Sequence, residues 1–448
     1  MRWIIPAMIM AAGVAAEARG DVPKLRDATL VEVVESCERP CKENGKYLMP
    51  KGFQWGLYTS AVSLEDCNTN DHDFCGTKNF DGSITDKASG HGISPTNDAN
   101  NIGGVGGNSS MLSLSWAVLQ NRAYAPLDLN AVNRYRSYID GLRRQGIEDI
   151  TVVLSDVGES KWFVKEGGWL NPRSPDMFAD YAKKVAIALD GRVNTWFTIE
   201  SPWSRASQSY WQGSWPPYND TCIDISEPCP EDAEKAFENM IQGHDRAYKN
   251  LKQVNPNNKV GLIVNWLNLH QYGPDWKKDL IDTVGLAMGL FHKNIRRIAR
   301  KTKGESMDML GVIYSGQLPF FGFRPSPIWE GAEESDEAKL LHDDMYIYNP
   351  RGLKGALSKL NNMFKVPMVI IHSNATKDDG FRRRSMRSHL GRVYEAVVNN
   401  IPVVGYFTKA MDGYEAGLGI YQEGVLDRYG RPKPSAKTFR EMSQDNAF

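Results

Sequence analysis

The sequence predicts an α/β fold, a single (β/α)8 TIM barrel with a degenerate first helix. Eight short runs rich in Val, Ile and aromatic residues recur along the chain, and amphipathic patterns of helical period fall between most of them. The first interval departs from this. It reads SPTNDANNIGGVGGNSS (94–110), with four glycines and a proline. Each glycine costs about 1 kcal/mol in a helix relative to alanine, so a loop or a broken helix is expected there.

The strands follow in order: FQWGLYTS (53–60), MLSLSW (111–116), DITVVLS (149–155), NTWFTI (194–199), KVGLIVNW (259–266), MLGVIYS (309–315), PMVIIHS (367–373) and PVVGYFT (402–408). Near-continuous apolar runs of this kind suit strands buried on both faces. Helical patterns cover 131–145, 177–189, 231–252, 284–302, 352–364, 384–398 and 434–443. Over 131–145, Val132, Tyr135, Tyr138, Ile139 and Leu142 share one face. The expected core includes Trp55, Leu114, Val153, Phe197, Val264, Val312, Val369 and Val403. At 448 residues the chain is long for one domain, but barrels reach this length. No repeat or linker divides it.

The first eighteen residues, MRWIIPAMIMAAGVAAEA, place Arg2 before an apolar run and end in Ala16-Glu17-Ala18. This is the pattern of a secretory signal peptide, too short to span a bilayer. The expected organisation is therefore a leader (1–18), an N-terminal extension (19–52) and the barrel (53–448), in a secreted protein with no membrane span. Six cysteines fall in close pairs, Cys37 with Cys41, Cys67 with Cys75 and Cys222 with Cys229. In an exported chain these read as disulfides. Short loops favour pairing of Cys222 with Cys229 and of Cys67 with Cys75, whereas the three residues between Cys37 and Cys41 demand a tight turn, and spacing alone leaves the connectivity open. There is no CxxC, which argues against zinc. Sequons stand at Asn108, Asn219 and Asn374. The formal net charge of −1 leaves no overall field for nucleic acid. The basic clusters KNIRRIARKTK (293–303) and FRRRSMR (381–387) read as solvated faces balanced by acidic stretches such as EGAEESDEAK.

Barrel chemistry sits at the carboxyl ends of the strands. The residues there are Ser63 to Glu65, Trp116, Ser155 and Asp156, Glu200 and Ser201, Asn265, Tyr314, His372, and Lys409 to Glu415. A metal site from Asp156, Glu200 and His372 has suitable ligand types. It lacks any spacing signature, so no metal and no cofactor is implied.

Several segments resemble glycoside hydrolase family 1, the β-glucosidase and myrosinase group. KGFQWGLYTSAVSLED is similar to that family's first barrel strand, LSLSW (112–116) to its FSISW segment, and GGWLN (167–171) with Phe178 and Tyr181-Ala182 to its GGW…F…YA stretch. RVNTWFTIESPW resembles RVKxWxTxNEPW, and VVGYFTKAMDGYEAGLG resembles GYFxWSLxDNFEWxxG. The matches run collinearly from about residue 50 to residue 443. The resemblance implies the barrel fold and retaining hydrolysis of β-glycosides by two carboxylates about 5–5.5 Å apart, at the ends of the fourth and seventh strands. It also places Cys222 and Cys229 at a short disulfide loop.

The same resemblance exposes a departure. Where the family has Asn-Glu-Pro, this chain has Glu200, Ser201 and Pro202, so Ser201 takes the acid/base position and Glu200 the neighbouring one. Where the family has the nucleophile of ITENG, it has His372, followed by Ser373 and Asn374. The family's sugar-binding positions become Ser63, Ser155, Asp156, Ile313, Lys409 and Ala416, while Glu65, Tyr314 and Glu415 persist. Framework segments are kept and chemistry-bearing ones are changed. The expectation is a secreted pseudoglycosidase that binds carbohydrate or a protein partner, with Glu200 and His372 close together and the His372 imidazole titrating above its usual range. The alternative is an altered β-glycosidase or transglycosylase that uses Glu200 with a non-standard partner.

Overall fold

The computed structural model describes residues 41–43, 45–61, 73–77, 95–156, 158–211, 213, 215–218, 231–272, 292–302, 305–321, 324–325, 349–372, 378–415 and 419–448. Eight parallel strands close into a ring: β1 Gln54–Thr59, β2 Ser109–Ser113, β3 Asp149–Ser155, β4 Thr195–Glu200, β5 Lys259–Tyr272, β6 Met309–Phe321, β7 Met368–His372 and β8 Val403–Lys409. The ring closes where β8 pairs with β1, from Gly405 opposite Gln54 to Lys409 opposite Tyr58. The outer helices are α1 Pro95–Val105, α2 Leu129–Arg144, α3 Ser174–Ala188, α4 Pro202–Tyr210, α5 Glu231–Val254, α6 (292–302), α7 Pro350–Phe364, α8 Asp379–Val398 and α9 Pro434–Asp445.

Local chemistry sets the helix boundaries. Asp128 caps α2 by accepting from the Ala131 amide at 2.8 Å, and Asn349 caps α7 through the Gly352 amide at 3.0 Å. Asp378 does the same for α8, at 2.7 Å from the Gly380 amide. The glycine-rich interval is more helical than expected, because α1 forms across Gly103 and Gly104. Pro95 opens it, and Gly106 and Gly107, at φ +91° and +112°, end it. Gly103 is needed for packing, since a Cβ there would lie 2.5 Å from the Gln145 side chain beyond α2.

Side chains alternate across each strand, which makes two cores. Inside the ring lie Met111, Val153, Phe197, Ile263, Met309, Val369, Ile371 and Phe407. Between ring and helices lie Trp55, Leu114, Val264, Val312 and Val403 with the apolar helix faces. All eight expected core residues are buried, divided between these layers. Two phenylalanines fill the interior where neighbouring strands carry glycine: a Cβ on Gly56 would meet the Phe407 ring at 2.1 Å, and one on Gly261 or Gly311 would crowd Phe197.

The amino ends of the strands are closed by both ends of the described chain. The hairpin of Cys41–Glu43 and Lys46–Leu48 pairs with the last residues, Tyr47 and Phe448 exchanging backbone hydrogen bonds at 3.2 Å. The Trp55 indole donates to Asn446 at 2.9 Å. Asn108 is exposed on this same side, its side chain held by the Trp55 amide and the Phe53 carbonyl at 2.9 Å each. A glycan on Asn108 would therefore stand away from the strand carboxyl ends.

Candidate active site at the barrel mouth

Glu200 reaches the interior through an irregularity in β4. Phe197 pairs with Gly261 and Glu200 with Ile263, so three steps along β4 match two along β5. Thr198 and Ile199 both turn outward, the Thr198 hydroxyl meeting His244 Nδ1 on α5 at 2.7 Å and Ile199 joining the outer core. The extra residue restores Glu200 to the inner face, where a regular strand would have turned it out. There its Oε2 accepts a 2.7 Å hydrogen bond from the Tyr58 hydroxyl on β1. Lys409, at the end of β8, holds its ammonium 4.9 Å over the Tyr58 ring and 3.9 Å from the Glu423 carboxylate. Tyr58 thus joins the carboxylate of β4 to the cation of β8.

Ser201 begins α4 in the left-handed region, at φ +48°. Its amide donates to the Ile263 carbonyl at 2.8 Å, which fixes the chain at the strand end. Asp156 is buried and accepts from the Ser60 and Ser113 hydroxyls at 2.9 and 2.6 Å, with its other oxygen on the Gly158 amide. It ties together the ends of β1, β2 and β3.

His372 corrects an expectation. By alternation Ile371 points into the barrel and His372 points out, toward α8. Its Nδ1 bonds the Tyr406 hydroxyl, and its Nε2 lies 3.3 Å from the Ser385 hydroxyl. The His389 ring is 4.0 Å away, centroid to centroid. His372 and Glu200 therefore project to opposite faces of the sheet, and the His372 imidazole is pushed down rather than up. Burial disfavours the charged form most, and the adjoining His389 adds to this. A neutral ring can accept from one partner and donate to the other, which suits both contacts. Tyr314 also belongs to the outer layer: its hydroxyl donates to the Asn349 carbonyl at 2.6 Å, and its ring meets His389 edge-on. Asp156, Glu200 and His372 are thus engaged separately. Among the described residues no cluster of three His, Cys, Asp or Glu is placed to hold a metal.

Sequence reasoning missed a buried charge cluster beside the mouth. Arg205, on α4, donates to Asp73 at 2.7 Å and lies 3.9 Å from Glu159. Asp73 and Glu159 also exchange backbone contacts, the Asp73 amide to the Glu159 carbonyl at 2.8 Å and the Glu159 amide to Asp73 Oδ1 at 2.9 Å. The segments after β1, β3 and β4 are clasped in this way. Burial pushes the Glu159 carboxyl up to about 7, against the opposing pull of Arg205 and the Trp169 indole N–H at 2.7 Å. Nothing in the spacing of these three residues signals that they meet.

Cys75 takes part in a disulfide, and its partner lies outside the described side chains. Glu65, Cys37, Cys67, Asn219, Cys222, Cys229, Asn374 and the segment 1–18 are outside the described residues, as are the side chains of Cys41 and Glu415. No described helix is long and apolar enough to cross a membrane.

A closed parallel barrel with a carboxylate facing in from the fourth strand is a scaffold of the glycoside-hydrolase type. Residues 46–287, more than half of the chain, match Glycosyl hydrolase family 1, and the protein belongs to that family. It is 23% identical over 449 residues to "Beta-glucosidase A" of Thermotoga maritima, covering 89% of this chain and 96% of the relative. It is 24% identical over 328 residues to "Galactolipid galactosyltransferase SFR2, chloroplastic" of Arabidopsis thaliana, covering 70% of this chain and 49% of the relative. The solved structure of a Thermotoga maritima β-glucosidase with castanospermine superposes with a TM-score of 0.76 at 19% identity, covering 90% of this chain and 99% of that one.

Proposed function

We propose that this family 1 protein is a secreted pseudoglycosidase, without ordinary β-glycosidase activity, that acts by binding carbohydrate or a protein partner. The observation that carries the reading is the state of the seventh strand. Its inward residue near the end is Ile371, and His372 is buried against Tyr406, Ser385 and His389 on the helix side. Retaining hydrolysis needs a second carboxylate opposite the first, about 5–5.5 Å away, and neither residue supplies one. Ser201, at the acid/base position, offers no useful acid at neutral pH. The leader-like segment 1–18 and the disulfide at Cys75 support an oxidising, extracellular setting.

One observation favours the alternative of an altered glycosidase or transglycosylase. Glu200 does face the interior, where it is bonded by the Tyr58 hydroxyl, and Lys409 stands over the ring of that tyrosine. A relative named as a galactosyltransferase shares the scaffold. Calorimetry with deoxynojirimycin separates the readings. The pseudoglycosidase should show no heat of binding up to millimolar inhibitor. Micromolar affinity that disappears in Glu200→Ala, together with turnover of an aryl β-glycoside lost in the same variant, would establish a working catalytic site and overturn the proposal.

A further inference from the structure

The outer wall carries its charge unevenly. The whole chain is at −1, yet the consecutive helices α6, α7 and α8 hold five, three and five Lys or Arg respectively, against only two acids, Asp379 and Glu395. Both acids are engaged within the wall. Asp379 accepts from Arg382 at 2.6 Å, and Glu395 bonds Arg392 and meets Lys354 at 3.4 Å. Arg297 and Lys301 are answered from α5, by Glu234 and Glu238. Arg296, Arg300, Lys359, Arg383, Arg384 and Arg387 are exposed and make no ion pair among the described residues.

The fold makes one surface of clusters that are far apart in sequence. His292, at the start of α6, stacks on Trp266 with 4.2 Å between centroids, and Lys359 of α7 stands 5.9 Å over the same ring. The charges of Lys359 and Arg296 both reach His292 and, after burial, hold its imidazole down. Lys354 and Glu395 join α7 to α8. With neighbouring helix axes roughly 8–10 Å apart, the outer rows of this face are separated by roughly 16–20 Å.

We propose that the face formed by α6, α7 and α8 binds a linear sulfated polysaccharide. The inference stands on the outer wall and is independent of the chemistry at the barrel mouth. Most of the exposed cations are arginines, whose planar fork pairs with two oxygens of one anionic group. A flexible polyanion can span the separated rows and gains from releasing its counterions. The large exposed apolar side chains among the described residues are Tyr124, Leu129, Ile187, Tyr218 and Tyr429, none of them on these helices. The described helices of this face therefore expose none of the large aromatic or aliphatic anchors that centre a protein interface, wedge into a membrane surface or stack on nucleic-acid bases.

The test uses the intact protein and a heparin oligosaccharide of defined length, with affinity measured at several salt concentrations. Arg300→Gln, Arg383→Gln and Arg387→Gln together remove three charges from the face. Arg144→Gln, Lys165→Gln and Lys183→Gln remove the same charge from exposed positions of the opposite, α2–α3 side. All six side chains are exposed, and circular dichroism verifies that both variants fold. The first variant should bind about tenfold or more weakly and with a shallower salt dependence, and the second within about twofold of the parent. Three results overturn the proposal: no heparin binding at about 50 mM salt, equal losses in both variants, or tighter binding of duplex DNA or anionic vesicles than of heparin.

Discussion

His372 stands where the family resemblance expects a nucleophile, yet its environment is that of a core histidine. Together with His389 and His244 it is buried and held neutral. Burial pushes His389 and His244 down to about 4, and His372 also lies well below its usual range. An unfolded chain protonates these imidazoles near 6.5, so the folded state loses stability as pH falls from about 6.5 to about 4. Each complete shift of this size is on the order of 3 kcal/mol. Glu159 acts in the opposite sense. Its folded value of about 7 lies above the ordinary carboxyl value of 4.5, so its contribution is present at low pH and is lost as pH rises through that interval. Burial raises Asp73 and Asp412 in the same sense, but among the described residues the four lowered histidines, His292 included, outnumber the three carboxyls, and the protein should be destabilised by acid. Replacing Glu159→Gln removes its opposing contribution. Urea unfolding between pH 4.5 and 7 should then show a steeper loss on acidification than in the parent. An unchanged or shallower slope would mean that Glu159 is not the group titrating there.

At the scale of the element, β4 decides what the mouth contains. Its extra residue between Phe197 and Glu200 brings the carboxylate inside and sends Thr198 to His244. Sequence alternation alone cannot place Glu200, because it assumes regular pairing. The neighbouring β5 has its own constraint. A Cβ on Gly261 would lie 1.9 Å from the Met309 carbonyl oxygen, so β5 and β6 approach too closely for any side chain at that point. Gly261→Ala should therefore cost at least about 3 kcal/mol, beyond most overpacking substitutions, whereas Gly355→Ala on α7, with open space around it, should be neutral or stabilising. Equal denaturation midpoints for the two variants would show that the strands can separate without cost. The interval before β2 teaches a related lesson. Its glycines lower helix propensity, but Gly103 permits close packing against α2, and tertiary contact outweighs propensity there.

For the whole molecule, the ring order and all eight strands were legible because near-continuous apolar runs alternate with helical patterns along most of the chain. The division of the core was not, since Val153 and Val264 look alike as letters and face opposite sides of the sheet. The site was half legible. Glu200 faces inward as its motif position implies, but His372 and Tyr314 face the helices, and the Asp73–Arg205–Glu159 cluster joins segments that no spacing rule links. Alignment identifies which residue replaces which; it does not say where a side chain points. The central proposal is that the described residues of this family 1 barrel do not supply the carboxylate pair of a retaining β-glycosidase. Its most direct test is the turnover of aryl β-glucosides, β-galactosides and β-mannosides by pure protein, with Glu200→Ala alongside. The account predicts release of the aryl group at the buffer rate for both proteins. Turnover by the parent that Glu200→Ala abolishes would contradict it.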